Sequence, residues 1–394
     1  MRIVHTSDWH LGRTLHGVDL LTHQAAYLDH LVEVVRAHDA DAVVVSGDVY
    51  DRALPPVEAV ALLADALARL SEHAAVVVTP GNHDSAIRLG FGATLMRPGV
   101  HLKALVAGIG TSVVLADGHG PVHVHALPYL DPDAVRRELA DDDGAGADGL
   151  LPRSHEAVTS AALRRVRASL AAVGGPRRPR SVVMAHAFVV GGEASDSERD
   201  IRVGGVDSVP AAVFAGVDYV ALGHLHGAQR ISAVAGGPVL QYSGSPLAYS
   251  FSERHHRKAS VVLDLGPDGV RSVELVPAPV PRRLSEVRGT WAELQGAAGQ
   301  AHLEDWVRVV VTDPVRPPDL VARVRDRFAH ALVVEHRPAA AAGRAATPAV
   351  TAARDPLEVA GEFVEHVTGA APDEAERAVL RRAYEHVLAG GRSA

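Results

Sequence analysis

Runs of four or so Val, Ile and Ala residues recur along the first part of the chain, at Arg2–Val4, Ala42–Val45, Ala75–Val78, Val182–Met184 and Tyr219–Leu222. Each is bounded by Gly, Pro or Ser and reads as a strand buried on both faces. Between them the apolar period lengthens. Leu20, Ala25, Leu28, Leu31, Val32 and Val35 share one face of a helix over Leu20–Arg36. Strands alternating with helices predict an α/β architecture to about residue 276. Val239–Tyr242 and Ala259–Leu263 are expected to complete a second sheet packed on the first, and the acidic, Gly-rich Asp141–Gly149 reads as a loop.

The pattern changes at Pro277–Arg283, where three prolines fall within seven residues. Beyond it, Trp306–Thr312 reads as a strand, Asp319–Ala329 as a helix and Leu332–His336 as a strand, which together make a small α+β unit over 277–338. Residues 339–354 fall in an Ala/Pro/Gly-rich tract, Arg337–Arg354, without apolar periodicity, and read as a linker. Asp355-Pro356 then signals a helix start. Leu357, Ala360, Phe363, Val364 and Val367 form one apolar stripe, and Ala375, Val379, Leu380, Ala383, Tyr384 and Val387 form a second. A helical hairpin over 355–394 follows, either folded back on the small unit or docked on a partner helix.

Composition narrows the class. With 394 residues, 47% of them hydrophobic, the chain is long enough for two or three folded units. It has no cysteine, which fits a reducing compartment and removes thiolate from the metal-ligand repertoire. No tripartite leader opens the chain and no apolar run nears the ~20 residues that span a bilayer, so a cytoplasmic protein without membrane contact is expected. A net charge of −8 argues against a chain that grips DNA unaided. The arginines at 164, 165 and 167, and at 177, 178 and 180, read equally well as a solvated helix face and loop. Lys103 and Lys258 are the only lysines, a bias read as base composition of the coding sequence. No GxxxxGK[ST] run is present, so any ATP dependence must come from a partner.

The chemistry sits at the ends of the strands. The five runs lead into Asp8 and His10, Asp48, Asn82, His186, and His224 with His226. In open α/β sheets ligands gather beyond the carboxyl ends of strands. A mixed Asp, His and Asn set suits manganese, iron or zinc. Two such ions ~3.5–4 Å apart need an anionic bridge, and they clamp the oxygens of an in-line displacement at phosphorus. Asp48, on the loop between the two halves of the set, is the candidate bridge. His83 follows a ligand without having to be one, a placement that suits phosphate contact or protonation of a leaving oxygen. Most of the 23 histidines need no such role. His5 reads as packed, His123 and His125 as structural because they alternate within a strand, and His255-His256 as solvated.

In this order, DxH, GD, GNHD, a lone His and GHxH resemble the motif set of calcineurin-like metallophosphoesterases. His5–Arg13, Gly81–Ser85, Ser197–Arg199 with Val203–Gly205, and Tyr242–Pro246 are similar to the SbcD family, the nuclease subunits of bacterial SbcCD exonuclease complexes. The resemblance runs along most of residues 1–277 and more loosely to the C-terminus. It implies a two-sheet sandwich flanked by helices over 1–276, a capping domain over 277–338, and a hairpin that docks on the SMC-like ATPase subunit SbcC. It implies one metal held by Asp8, His10, Asp48 and His226, and a second held by Asp48, Asn82, His186 and His224, with manganese usual and His83 catalytic. Asp51 stands where some distant relatives carry a second functional histidine, and it is left out of the set. Double- and single-stranded DNA as substrate, a homodimer within a heterotetramer, and a cytoplasmic, nucleoid-associated location follow as expectations.

Two alternatives share parts of the pattern. A stand-alone phosphoesterase for small phosphodiesters would use the same ligands but has little need of a capping unit or hairpin. A non-catalytic adaptor between an ATPase and DNA ends would have no reason to keep every ligand.

Overall fold

A computed structural model describes residues 1–140, 149–175, 177–201, 208–232, 236–338, 356–368 and 371–390. Residues 141–148 of the expected loop, Val203–Gly205 and the expected linker 339–354 lie outside the described residues. The chain divides into two compact units, Met1–Pro338 and Ala339–Ala394.

The first unit is built on two six-stranded sheets. One runs in the order Gly269–Pro277, Ala259–Gly266, Arg2–Thr6, Ala42–Ser46, Ala75–Thr79, Val100–Leu102. The other runs Gln229–Ile231, Val239–Tyr242, Tyr219–Gly223, Arg180–His186, Gly120–Ala126, Val113–Asp117. The central strands of both are parallel, as their unbroken apolar runs require, since both faces are covered. Ile3, Val44, Val77, Val124, Met184 and Ala221 fill the space between the sheets. Leu21–Ala37 and Val57–Leu70 close the outer face of the first sheet through Leu28, Leu31, Leu63 and Leu67. His155–Val173 closes the second through Val158, Ala162 and Val166. The expected two-sheet sandwich flanked by helices is thus observed.

One strand differs from expectation. Ala259–Gly266 joins the first sheet, antiparallel to Arg2–Thr6, instead of the second. Its burial on alternate sides requires only two packed faces, and either sheet offers them.

Beyond Pro277 a three-stranded parallel sheet of Leu284–Gly289, Trp306–Val311 and Ala331–His336 has a core of its own, with Leu294, Val309, Val324 and Phe328 at its centre. Thr290 and Glu293 form a capping box that starts the helix Trp291–Gln295. A cluster of Leu15, Leu20, Leu247, Tyr249, Phe251, Leu284 and Trp306 joins this sheet to the two-sheet core. In the second unit, Pro356–Thr368 and Glu374–Gly390 are helices. Leu357, Val364, Leu380 and Tyr384 are half-buried, whereas Phe363, Val367 and Val379 are exposed. Among the described residues, no helix is long and apolar enough to cross a membrane.

Candidate metal centre

Parallel strands in register end together. Pairings such as Ser46 with Thr79 and His186 with Gly223 bring the loops that follow to one edge of the sandwich. Asp8 N donates to Gly47 O at 3.0 Å and His10 N to Asp48 O at 3.0 Å, so the first two loops run side by side. Their backbones are forced into rare shapes. Asp8, His10, Asp48 and His224 all have positive φ, at 54°, 46°, 48° and 104°. Non-glycine residues hold such angles when the surroundings over-determine them, which happens most often at functional sites. Gly81 explains why glycine precedes Asn82. A Cβ there would lie 2.2 Å from Asp48 Oδ1 and 2.3 Å from its backbone nitrogen.

Among the described residues, three groups of side chains each place their ligand atoms within 4.8 Å of one another: Asp8 with His10 and His226, His10 with Asp48 and His83, and Asp8 with Asp48 and His186. Asp48 stands in two of them, beside His10 in one and His186 in the other. His186 Nε2 lies 3.4 Å from Asp48 Oδ2 and 2.8 Å from Asn82 Oδ1, while its Nδ1 donates to Ser46 O at 3.0 Å. His224 is brought to the same place, with its ring 5.3 Å from that of His186 and its backbone nitrogen 3.1 Å from Asp8 Oδ1. His224 belongs to none of the three groups. His83 sits beside the cluster and is only partly buried. Its backbone donates to Asp48 Oδ1 at 2.8 Å, Nδ1 lies 2.7 Å from Asp51 O, and Nε2 is 3.9 Å from Asp48 Oδ2.

The electrostatics fit a cation site. Burial drives His10 down to about 3 and holds His224 well below its ordinary value, so both rings are neutral. Burial alone would raise Asp48, but His186, His10 and His83 hold it well below the usual carboxylate range. Asp8 rises to about 6 through burial, with His186 and His226 offsetting part of that cost. His10 Nε2 and His226 Nε2 face each other at 3.1 Å. His226 Nδ1 lies 2.7 Å from Ser197 Oγ, whose own proton goes to Glu253 Oε1, so the ring is held on the side away from His10. Two ring nitrogens so close need a proton or a cation between them. Buried carboxylates, facing imidazoles and the absence of thiolate fit a hard or borderline divalent ion.

The outer partners are where sequence reasoning fell short. Asp84 reads in the sequence only as the last residue of the GNHD motif, yet its carboxylate accepts from Val49 N, Tyr50 N and Gly81 N at 2.8–3.0 Å and ties the Asp48 loop to the Asn82 loop. Burial and the Asp48 charge raise Asp84 to about 7. Gln24 donates to His10 O at 2.7 Å, and Glu198 accepts from His226 N at 2.8 Å. Asp51, outside the expected catalytic set, supplies the carbonyl that orients His83 and a carboxylate 3.6 Å from both His10 Nδ1 and Arg13 Nη1. The histidines expected to be structural stay outside the cluster. His5 is buried and paired with the Tyr219 hydroxyl at 3.0 Å, and His123 and His125 lie within the strand Gly120–Ala126. His256 is half-buried instead of solvated.

A calcineurin-like phosphoesterase family model matches residues 1–228. The chain belongs to this family. A second model, described as a type 5 capsule protein repressor C-terminal domain, matches residues 280–368. Within the family the chain is similar to the D subunit of the nuclease SbcCD from Bacillus subtilis, 37% identical over 273 residues that cover 68% of this chain and 67% of the relative. It is also similar to the D subunit of the nuclease SbcCD from Escherichia coli, 32% identical over 328 residues, 80% of this chain and 76% of the relative. Among solved structures, a dimetal phosphatase from Danio rerio superposes with a TM-score of 0.42 at 14% identity, over 71% of this chain and 99% of that one. The chain is thus a calcineurin-like phosphoesterase similar to SbcD nuclease subunits, a family that implies divalent metal ions, and its clustered acidic and histidine side chains are candidates to hold them.

Proposed function

We propose that the chain is the nuclease subunit of an SbcCD-type complex and hydrolyses DNA phosphodiesters at a centre of two divalent ions. The observation that carries this reading is the convergence of five strand-end loops on one buried cluster in which Asp48 belongs to two ligand groups at once. Asp8, His10, Asp48 and His226 would hold one ion, and Asp48, Asn82, His186 and His224 the other. Manganese suits this donor set, and we assign it. When bound, such a pair activates water and stabilises the charge of an in-line displacement at phosphorus. The chain's own residues do the rest. Asp48 offsets the repulsion between two cations. Asp84 and Gln24 fix the loops that carry the ligands. His83, partly buried beside the cluster and held by Asp51 O, contacts the phosphate or hands a proton to the departing oxygen.

The outer parts support a role within an assembly. A net charge of −8 leaves much of the DNA grip to a partner, which we assign as the SMC-like ATPase SbcC. The exposed Phe363, Val367 and Val379 on the two terminal helices suit docking of that ATPase, with 277–338 as a capping domain and 355–394 as the docking element. Leu54, Val57, Ile87, Phe91 and Leu95 are 66–86% exposed, and Arg88 links their segments through Ala53 O. An apolar surface of this kind supports a homodimer within a heterotetramer. A DNA-end nuclease of this type would work in the cytoplasm at the nucleoid.

The test is a nuclease assay on linear duplex and hairpin DNA, with and without the ATPase, across a series of divalent metals. Manganese-dependent cutting that ATP and the partner extend to duplex ends is expected. Cleavage confined to small phosphodiesters would overturn the assignment to DNA.

A further inference from the structure

Lys258 is one of two lysines in a chain whose basic residues are otherwise arginine, and its side chain is only 3% exposed. An ammonium has three donors, and all three are used. Nζ donates to His226 O at 2.9 Å, to Ser245 Oγ at 2.8 Å, and to Glu253 Oε2. Glu253 is fully enclosed, and its other oxygen, Oε1, accepts from Ser197 Oγ and from Tyr249 N and lies 3.2 Å from His226 Nδ1. The pair thus reaches one residue of the cluster from two directions, at its ring and at its backbone carbonyl. Three donors spread over three acceptors suit a compact ammonium, whereas the planar fork of arginine does not.

Resting on the dinuclear reading above, we propose that Glu253 and Lys258 are positioning residues for His226. Glu253 anchors Nδ1, directly at 3.2 Å and through Ser197 Oγ, which lies 2.7 Å from Nδ1 and donates to Glu253, and so turns Nε2 toward His10 and Asp8. Lys258 keeps Glu253 compensated and clamps the loop that carries His226. His186 has no such carboxylate, since its Nδ1 is fixed by Ser46 O. The effect should therefore be confined to one ion. A carboxylate behind a ligating imidazole orients the ring and raises its basicity, and loss of such a partner lowers metal affinity 10–100-fold.

A buried ion pair could instead serve stability alone, and a double variant separates the two roles. Removing one partner strands a buried charge, but removing both with similar volumes is often neutral. Full-length Glu253→Gln, Lys258→Met and the double variant are titrated with Mn2+ by calorimetry, and each is melted without metal. The double variant should melt close to the wild type yet bind one of its two ions about 10–100-fold more weakly, the other being unchanged. Wild-type affinity at both sites in the double variant, or equal weakening of both, would overturn the proposal. A wild type that binds fewer than two ions would overturn the dinuclear reading itself, and this inference with it.

Discussion

His83 is the residue at which the proposed split between chemistry and metal binding can be tested. Its Nδ1 is tied to Asp51 O, and its Nε2 approaches Asp48 without the close contacts that surround His186. His83→Ala should keep two Mn2+ ions by calorimetry and lower turnover by ~10²-fold or more, the range of a positioned acid–base group. Loss of one ion would make His83 a ligand, as its grouping with His10 and Asp48 permits. Gly81 tests the packing of the same loop. In Gly81→Ala the new methyl group meets Asp48 at both side chain and backbone. A thermal melt should show destabilisation of about 1–3 kcal/mol, as for an overpacked core, and Mn2+ stoichiometry should fall.

At the scale of elements, the terminal helices are predicted to be dispensable for chemistry. Every candidate ligand lies within Met1–Pro338, which is a compact unit of its own. Deletion of 355–394 should leave Mn2+-dependent cleavage of single strands or small phosphodiesters intact. The truncated chain should no longer co-purify with the ATPase or show ATP-stimulated cutting of duplex ends. Retained affinity would move the partner's docking surface elsewhere. What the sequence makes legible follows the same divide between local and tertiary information. Apolar runs ending in candidate ligands identify the parallel strands and their shared edge, because strand burial and the residue that follows a strand are both local properties. Which sheet Ala259–Gly266 joins is not legible, since pairing partners are chosen by tertiary packing. The strand Leu284–Gly289 escapes a sequence reading because its Glu286 and Arg288 interrupt the apolar signal. Glu253, Lys258 and Asp84 reach the site from distant or unremarked positions, and only the fold shows what they touch. The scarcity of lysine reads in the sequence as base composition. In the fold, Lys258 is buried and spends every donor.

For the whole molecule, the exposed apolar side chains near the Asn82 loop predict self-association. Phe91 is 83% exposed and Leu95 86%, a large apolar area to leave in water. Phe91→Glu introduces a charge that cannot be buried without a partner. Sedimentation or light scattering should show a dimer for the wild type and a monomer for this variant, with unchanged hydrolysis of a small phosphodiester. A variant that stays dimeric would place the interface on another face.

The central claim is that Asp48 joins two cations into one reaction centre. Its most direct test is calorimetric titration of Mn2+ into wild-type and Asp48→Asn protein, with nuclease activity followed on the same samples. The substitution keeps the size of the side chain and removes the charge that holds two cations together. The account predicts two ions bound by the wild type, loss of at least one in the variant, and collapse of cleavage. Two tight sites with persisting turnover in Asp48→Asn would contradict it.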